Sequence, residues 1–174
     1  MTLADELAAR LLGSVVLVGV GNPLRGDDAA GCLVARRLRG TPGVCVIEAE
    51  EVPESFVGDI AAAMPDAVVM VDAVDLGREP GAVALLEKEQ VAAYAPTTHR
   101  LPLSLVMEVA RRRTGGDVFL IAIQPSRVGF GAPPTPEVSE SVERLAGMLG
   151  EILRTRVDRP VAAHDAWTDV KGLA

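Results

Sequence analysis

Lysine is almost missing from this chain of 174 residues: Lys88 and Lys171 are the only two. Acidic side chains number 24 against 17 basic ones, for a formal charge of -7. A nucleic-acid binder needs a basic face to neutralise phosphates, and no basic tract is present. The one basic triplet, Arg111-Arg112-Arg113, reads as a solvated helix end. Cysteine is scarce too: Cys32 and Cys45 are too few for a disulfide framework and lack the C-x-x-C spacing of a redox or zinc site. Long apolar runs are missing. The longest, residues 14–20 and 67–71, have the length of buried strands and fall far below the ~18 residues of a membrane span. Residues 1–10 carry Asp5 and Glu6 where a secretory signal carries positive charge. Together these absences predict a cytoplasmic, soluble protein that binds neither nucleic acid nor membrane.

What is present is apolar residue in abundance, 49% of the chain. A domain of this size buries roughly 70% of its unfolded surface and holds a core without disulfides or a structural metal. Short apolar runs at 15–20, 44–47, 67–71, 82–86 and 118–123 read as strands, most of them apolar on both faces as in a parallel sheet. Between them, residues 27–39, 53–64, 101–112 and 136–154 carry apolar positions at helical spacing, the last beginning at Pro136. Strands alternating with helices predict an α/β fold: one three-layer α/β/α domain over residues 1–155, with a mostly parallel sheet of about five strands and room for one antiparallel strand. Residues 156–174 lose all periodicity and read as a poorly ordered tail.

Ligands of open α/β sheets gather beyond the carboxyl ends of the strands. Three segments fall there: Gly19 to Gly31 with the pair Asp27-Asp28, Asp72-Ala73 after the third strand, and Thr97-Thr98-His99 before a helix. The first is no dinucleotide fingerprint, because Leu24 stands where G-x-G-x-x-G needs glycine and two carboxylates would repel a pyrophosphate. Asp27 is placed to cap the following helix and Asp28 to point toward the sheet edge, although both equally suit the helix dipole. Asp72 has a turn-forming reading beside a functional one. Two carboxylates and one imidazole make a plausible open metal site. No G-x-S-x-G, H-E-x-x-H or cysteine-histidine arrangement occurs, so any bond cleavage would use a water activated by a metal or a carboxylate. Arg36, Arg37 and Arg39 read as a solvated helix face, with docking of an acidic partner as the alternative.

At these residues the chain resembles the hydrogenase maturation endopeptidases, which trim the C-terminus of the large subunit of nickel-iron hydrogenases. The resemblance spans residues 15–153. It rests on Gly19, Gly21, Asn22, Asp27, Asp28 and Gly31, on Asp72-Ala73, on Thr97-Thr98-His99 with Leu101-Pro102-Leu103, and on Ile123-Gln124-Pro125 with Val128-Gly129-Phe130. The His99 and Gln124 segments resemble most the branch serving hydrogenase 3. The resemblance implies metal ligation and catalysis by Asp28, Asp72 and His99. The metal implied is nickel supplied by the substrate, a site that other divalent metals could also occupy. The implied partner is a large-subunit precursor, met by a monomeric enzyme. A non-catalytic nickel-binding or chaperone module using the same ligands is the alternative. Where the family has a glycine-bearing turn after the second strand, this chain has Glu48-Ala49-Glu50, so no role carries over to that loop.

Overall fold

The computed structural model describes residues 1–94 and 101–156. Five strands, β1 (Val15–Val20), β2 (Val44–Glu50), β3 (Ala67–Ala73), β4 (Val83–Leu86) and β5 (Asp117–Ile123), form one sheet in the order β2-β1-β3-β5-β4. All neighbours are parallel except β4, which runs antiparallel to β5 with Val83 opposite Ile123. The described helices are α1 (Leu3–Arg10), α2 (Ala30–Leu38), α3 (Val57–Ala62), α4 (Lys88–Tyr94), α5 (Leu103–Thr114) and α6 (Pro136–Thr155).

Period-two alternation along the strands divides the core into two layers. Val15 and Leu17, Val69 and Val71, Phe119 and Ile121 face α1, α2 and α6, meeting Leu7, Val34, Val142 and Leu149. Val16 and Val18, Val68 and Met70, Val118 and Leu120 face α3, α4 and α5, meeting Ile60, Val91 and Met107. With helices on both faces, β1 and the first five residues of β3 are buried throughout, which is why they read as unbroken apolar runs. No helix among the described residues is long and apolar enough to cross a membrane.

The structure adds two helices absent from the periodicity reading. α1 is announced by a capping box: Thr2 Oγ1 accepts the Asp5 N–H and the Asp5 carboxylate accepts the Thr2 N–H. It contributes buried Leu7 to the core, while Arg10 in its last turn bonds Asp117 at 2.7 Å and lies over the Phe119 ring. α4 has one buried residue, Val91, too few for a visible stripe. Two expected helices also begin late. Residues 27–39 open with a 3-10 turn at Gly26–Ala29 before α2, and residues 53–64 open with another at Pro53–Phe56 before α3. The expected tail lies outside the described residues from 157 onward.

Candidate functional site

β2 and β3 flank β1 on opposite sides, and the chain reaches them through α2 on one face and α3 on the other. The sheet therefore has its switch point between β1 and β3, and the crevice outside their carboxyl ends is where such a fold receives ligands. Two glycines make this corner. Gly21, at φ 121°, turns the chain sharply after β1; a Cβ built there would lie 1.9 Å from the Asp28 carbonyl oxygen and 3.6 Å from Asp72 Oδ1. Gly31 lets α2 press onto the sheet, since a Cβ there would lie 2.1 Å from the Val71 carbonyl oxygen and 2.3 Å from that of Val20. Any side chain at either position would hold apart the segments carrying Asp28 and Asp72.

The Asp28 backbone and the Asp72 carboxylate thus adjoin on either side of Gly21 at the rim. Both residues are half-buried. Asp28 Oδ2 accepts the Asn22 N–H at 3.0 Å, and Asp72 Oδ1 accepts the Ala73 N–H at 2.8 Å. Asn22 is itself fixed by accepting the Leu24 N–H on its Oδ1 at 2.9 Å. His99, the third expected ligand, lies outside the described residues, as do Thr97 and Thr98. Among the described residues no three His, Cys, Asp or Glu side chains gather to hold a metal ion. Two carboxylates alone make an incomplete cation site, one that requires further ligands.

Asp27 departs from expectation. It caps no turn of its own helix; instead it is fully buried and bonds residues about a hundred positions away. Its carboxylate accepts the N–H groups of Ser126 and Arg127, each at 2.8 Å, and the N–H and hydroxyl of Thr135 at 2.6 and 3.0 Å. Burial pushes this carboxyl upward, but the hydrogen bonds from Arg127, Thr135 and Ser126 outweigh it and hold the group below the ordinary carboxylate range. Asp27 therefore ties the loop after β1 to the loop after β5 and to the start of α6. Its neighbour Asp28 is left to face the rim.

Gln124 is a second tie, one whose physical role the sequence does not announce. Its Oε1 accepts the N–H groups of Leu76 and Arg78 at 2.6 and 3.2 Å, and its Nε2 donates to Asp75 Oδ1 and the Pro125 carbonyl. This fastens the loop after β3 to the end of β5. Cys32 points its thiol at the Gly21 carbonyl oxygen, 3.3 Å away, and burial pushes its pKa up to about 12. A buried thiol of that kind is no nucleophile.

The arginine face of α2 is solvated, with Arg36, Arg37 and Arg39 all exposed, and each is matched to a carboxylate. Arg36 pairs with Glu48 at 2.7 Å, Arg39 also pairs with Glu48, and Arg37 bonds Glu143 of α6 at 2.8 Å. Glu48, with only 3% of its side chain exposed, is thus a packed strand residue. A cavity of about 220 Å³ between α3 and α5, lined by Val57, Leu101, Val106 and Val109 among others, includes neither Asp28 nor Asp72.

Comparison with known proteins finds the same fold in one family. The family model described as HycI, hydrogenase maturation protease, matches residues 32–152. The hydrogenase 3 maturation protease of Escherichia coli strain K12 is 34% identical over 142 residues, which cover 78% of this chain and 90% of that protein. Among solved structures, the NiFe hydrogenase maturation protease HycI from Thermococcus kodakarensis KOD1 matches with a TM-score of 0.79 and 40% identity, over 87% of this chain and 98% of that one. The endopeptidase HycI from Escherichia coli matches with a TM-score of 0.73 and 31% identity, over 79% and 90%.

Proposed function

The chain belongs to the hydrogenase maturation protease family, and on that premise we propose that it removes the C-terminal peptide of a nickel-loaded hydrogenase large-subunit precursor. In this reading Asp28, Asp72 and His99 recognise the nickel that the precursor already carries. The protein then cuts only mature substrate, because an empty precursor presents nothing for the carboxylates to hold. The supporting observation is that Gly21 sets the Asp28 backbone beside the Asp72 carboxylate at the rim, while several neighbouring polar groups are committed elsewhere. Asp27 and Gln124 are spent on backbone N–H groups and Cys32 is a neutral thiol.

With no nucleophile motif in the sequence and Cys32 a buried, neutral thiol, water is the attacking group in this reading. It adds across the peptide bond, one product leaving with a new carboxylate and the other with a new amine. Asp28 and Asp72 supply oxygen ligands, His99 a nitrogen ligand, and the substrate's nickel polarises the scissile carbonyl or the water. Incubating the protein with nickel-loaded precursor and weighing the large subunit by mass spectrometry tests the reading. A shortened subunit is expected, and none with Asp28→Asn. Stable association without cleavage would instead make the protein a nickel-binding chaperone.

A further inference from the structure

The loop after β5 reaches solvent with a side chain that no folding argument explains. Phe130 is 79% exposed at a turn closed by Gly131, in a chain with only three phenylalanines. Leu24, 60% exposed, lies beside it, because the Gly131 N–H donates to the Leu24 carbonyl at 2.8 Å. Val128, 44% exposed, belongs to the same loop. Scattered apolar residues on a surface are ordinary, whereas three on two bonded loops form a patch.

The patch is registered to the site. The Gly26 N–H donates to the Ala132 carbonyl and the Asp27 N–H to the Arg127 carbonyl, both at 3.1 Å. The Asp27 carboxylate clamps the same two loops from within. From Leu24 the chain runs only four residues to Asp28, whose N–H donates to the Arg25 carbonyl at 3.2 Å. Whatever rests on Phe130 and Leu24 is thereby held at a fixed offset from the Asp28–Asp72 pair.

Charge narrows the occupant. Arg25 and Arg127 are exposed on these same loops, and neither has a carboxylate partner among the described residues. Arg10, Arg36, Arg37 and Arg39, by contrast, are each matched to a carboxylate on another element. An apolar patch rimmed by unpaired guanidinium groups suits a segment carrying an apolar side chain next to a carboxylate.

We propose that the Leu24–Arg25 and Arg127–Phe130 loops form the docking surface for the precursor, gripping an acidic, apolar segment adjacent to the scissile bond. This rests on the endopeptidase reading, and its test is arranged so that the two fail separately. The nickel-loaded precursor is bound to immobilised protein and, in parallel, cleaved by it. Leu24→Ser with Phe130→Ser, and Arg25→Glu with Arg127→Glu, are each compared with Met64→Ser, an equally exposed apolar site at the opposite end of the sheet. Both loop pairs are expected to weaken binding about tenfold or more and to lower kcat/KM through KM, with Met64→Ser unchanged. Binding unaltered in either loop pair would overturn the proposal, as would a wild-type protein that fails to bind the precursor. Loss of self-association in the loop variants, with precursor binding intact, would also overturn it by making the patch a contact between copies of this chain. Patch-dependent binding without cleavage would leave the docking surface standing and remove the endopeptidase reading. Cleavage indifferent to the patch would do the reverse.

Discussion

The two ends of the sheet are both lined with acid, and they use it differently. At the amino end, Asp66 accepts the Ser14 N–H and hydroxyl at 2.7 and 2.9 Å, and Asp117 takes two bonds from Arg10, each at 2.7 Å. Arg10 also pairs with Glu87. These carboxylates join α1, β1, β3 and β5, and their negative charge is answered by partners on the next element. At the carboxyl end, Asp28 accepts a backbone N–H from its own loop, and no lysine or arginine among the described residues reaches it. The lesson is that an acid is informative for function when its own loop orients it and it is not spent joining one element to another. The same contrast divides the adjacent residues Asp27 and Asp28, one wholly inside and bonded to distant loops, the other at the rim.

The sharpest way to break this comparison is to exchange the effects of those two aspartates. Asp28→Asn is expected to reduce precursor cleavage by more than about 100-fold, since even the outer partners of metal ligands typically cost 10- to 100-fold. Its melting temperature should stay at the wild-type value. A variant that still cleaves, or that unfolds, would make Asp28 a structural residue like those of the other end.

Gly31→Ala should come next, as a loss of stability. A methyl group 2.1 and 2.3 Å from two strand carbonyls forces α2 off the sheet, at about 3 kcal/mol or more. Thermal or urea unfolding measures it, and a wild-type midpoint would show that the close approach of α2 to the switch point is dispensable.

Asp27→Asn should cost about 2–3 kcal/mol, because its amide would turn a donor toward backbone N–H groups that now bond a charged acceptor. Asp27 also gives a pH signature. Its folded pKa lies below its ordinary value of 3.8, so its stabilisation is complete above that value and is lost as pH falls through the lowered folded value. Acid unfolding of the wild-type protein should therefore show a component below about pH 4 that Asp27→Asn lacks. Equal acid sensitivity in both would remove the clamp from the account.

The smallest expected effect is that of Cys32→Ala, which should leave cleavage unchanged, while in folded Cys45→Ala the remaining thiol, Cys32, should label slowly. A large loss of activity would return a nucleophile that burial excludes.

Most of the frame was legible from the chain because burial on both faces writes strands as unbroken apolar runs. β1, β3 and β5 appear at their expected places for that reason, and so does the long stripe of α6. Room for one antiparallel strand was expected, but not that it is β4, since direction is set by its pairing with β5 and not by its own four residues. α1 was missed although Thr2 and Asp5 spelled its cap, and α4 was missed because one buried valine makes no period. Of the candidate site, the placement of Asp28 and Asp72 near the carboxyl ends of β1 and β3 was legible from the apolar runs before them. The division of labour between Asp27 and Asp28 was not, because it depends on Ser126, Arg127 and Thr135, which only folding brings near. The α2 arginines are exposed as expected, but their partners were not legible for the same reason: Glu48 and Glu143 lie on other elements.

The most direct measurement is the mass of a nickel-loaded large-subunit precursor after incubation with the wild-type protein and, separately, with Asp28→Asn and Asp72→Asn. Loss of the C-terminal peptide with the wild type alone, from folded variants, is the predicted result. A precursor shortened equally by all three would contradict the claim that these two carboxylates carry the reaction.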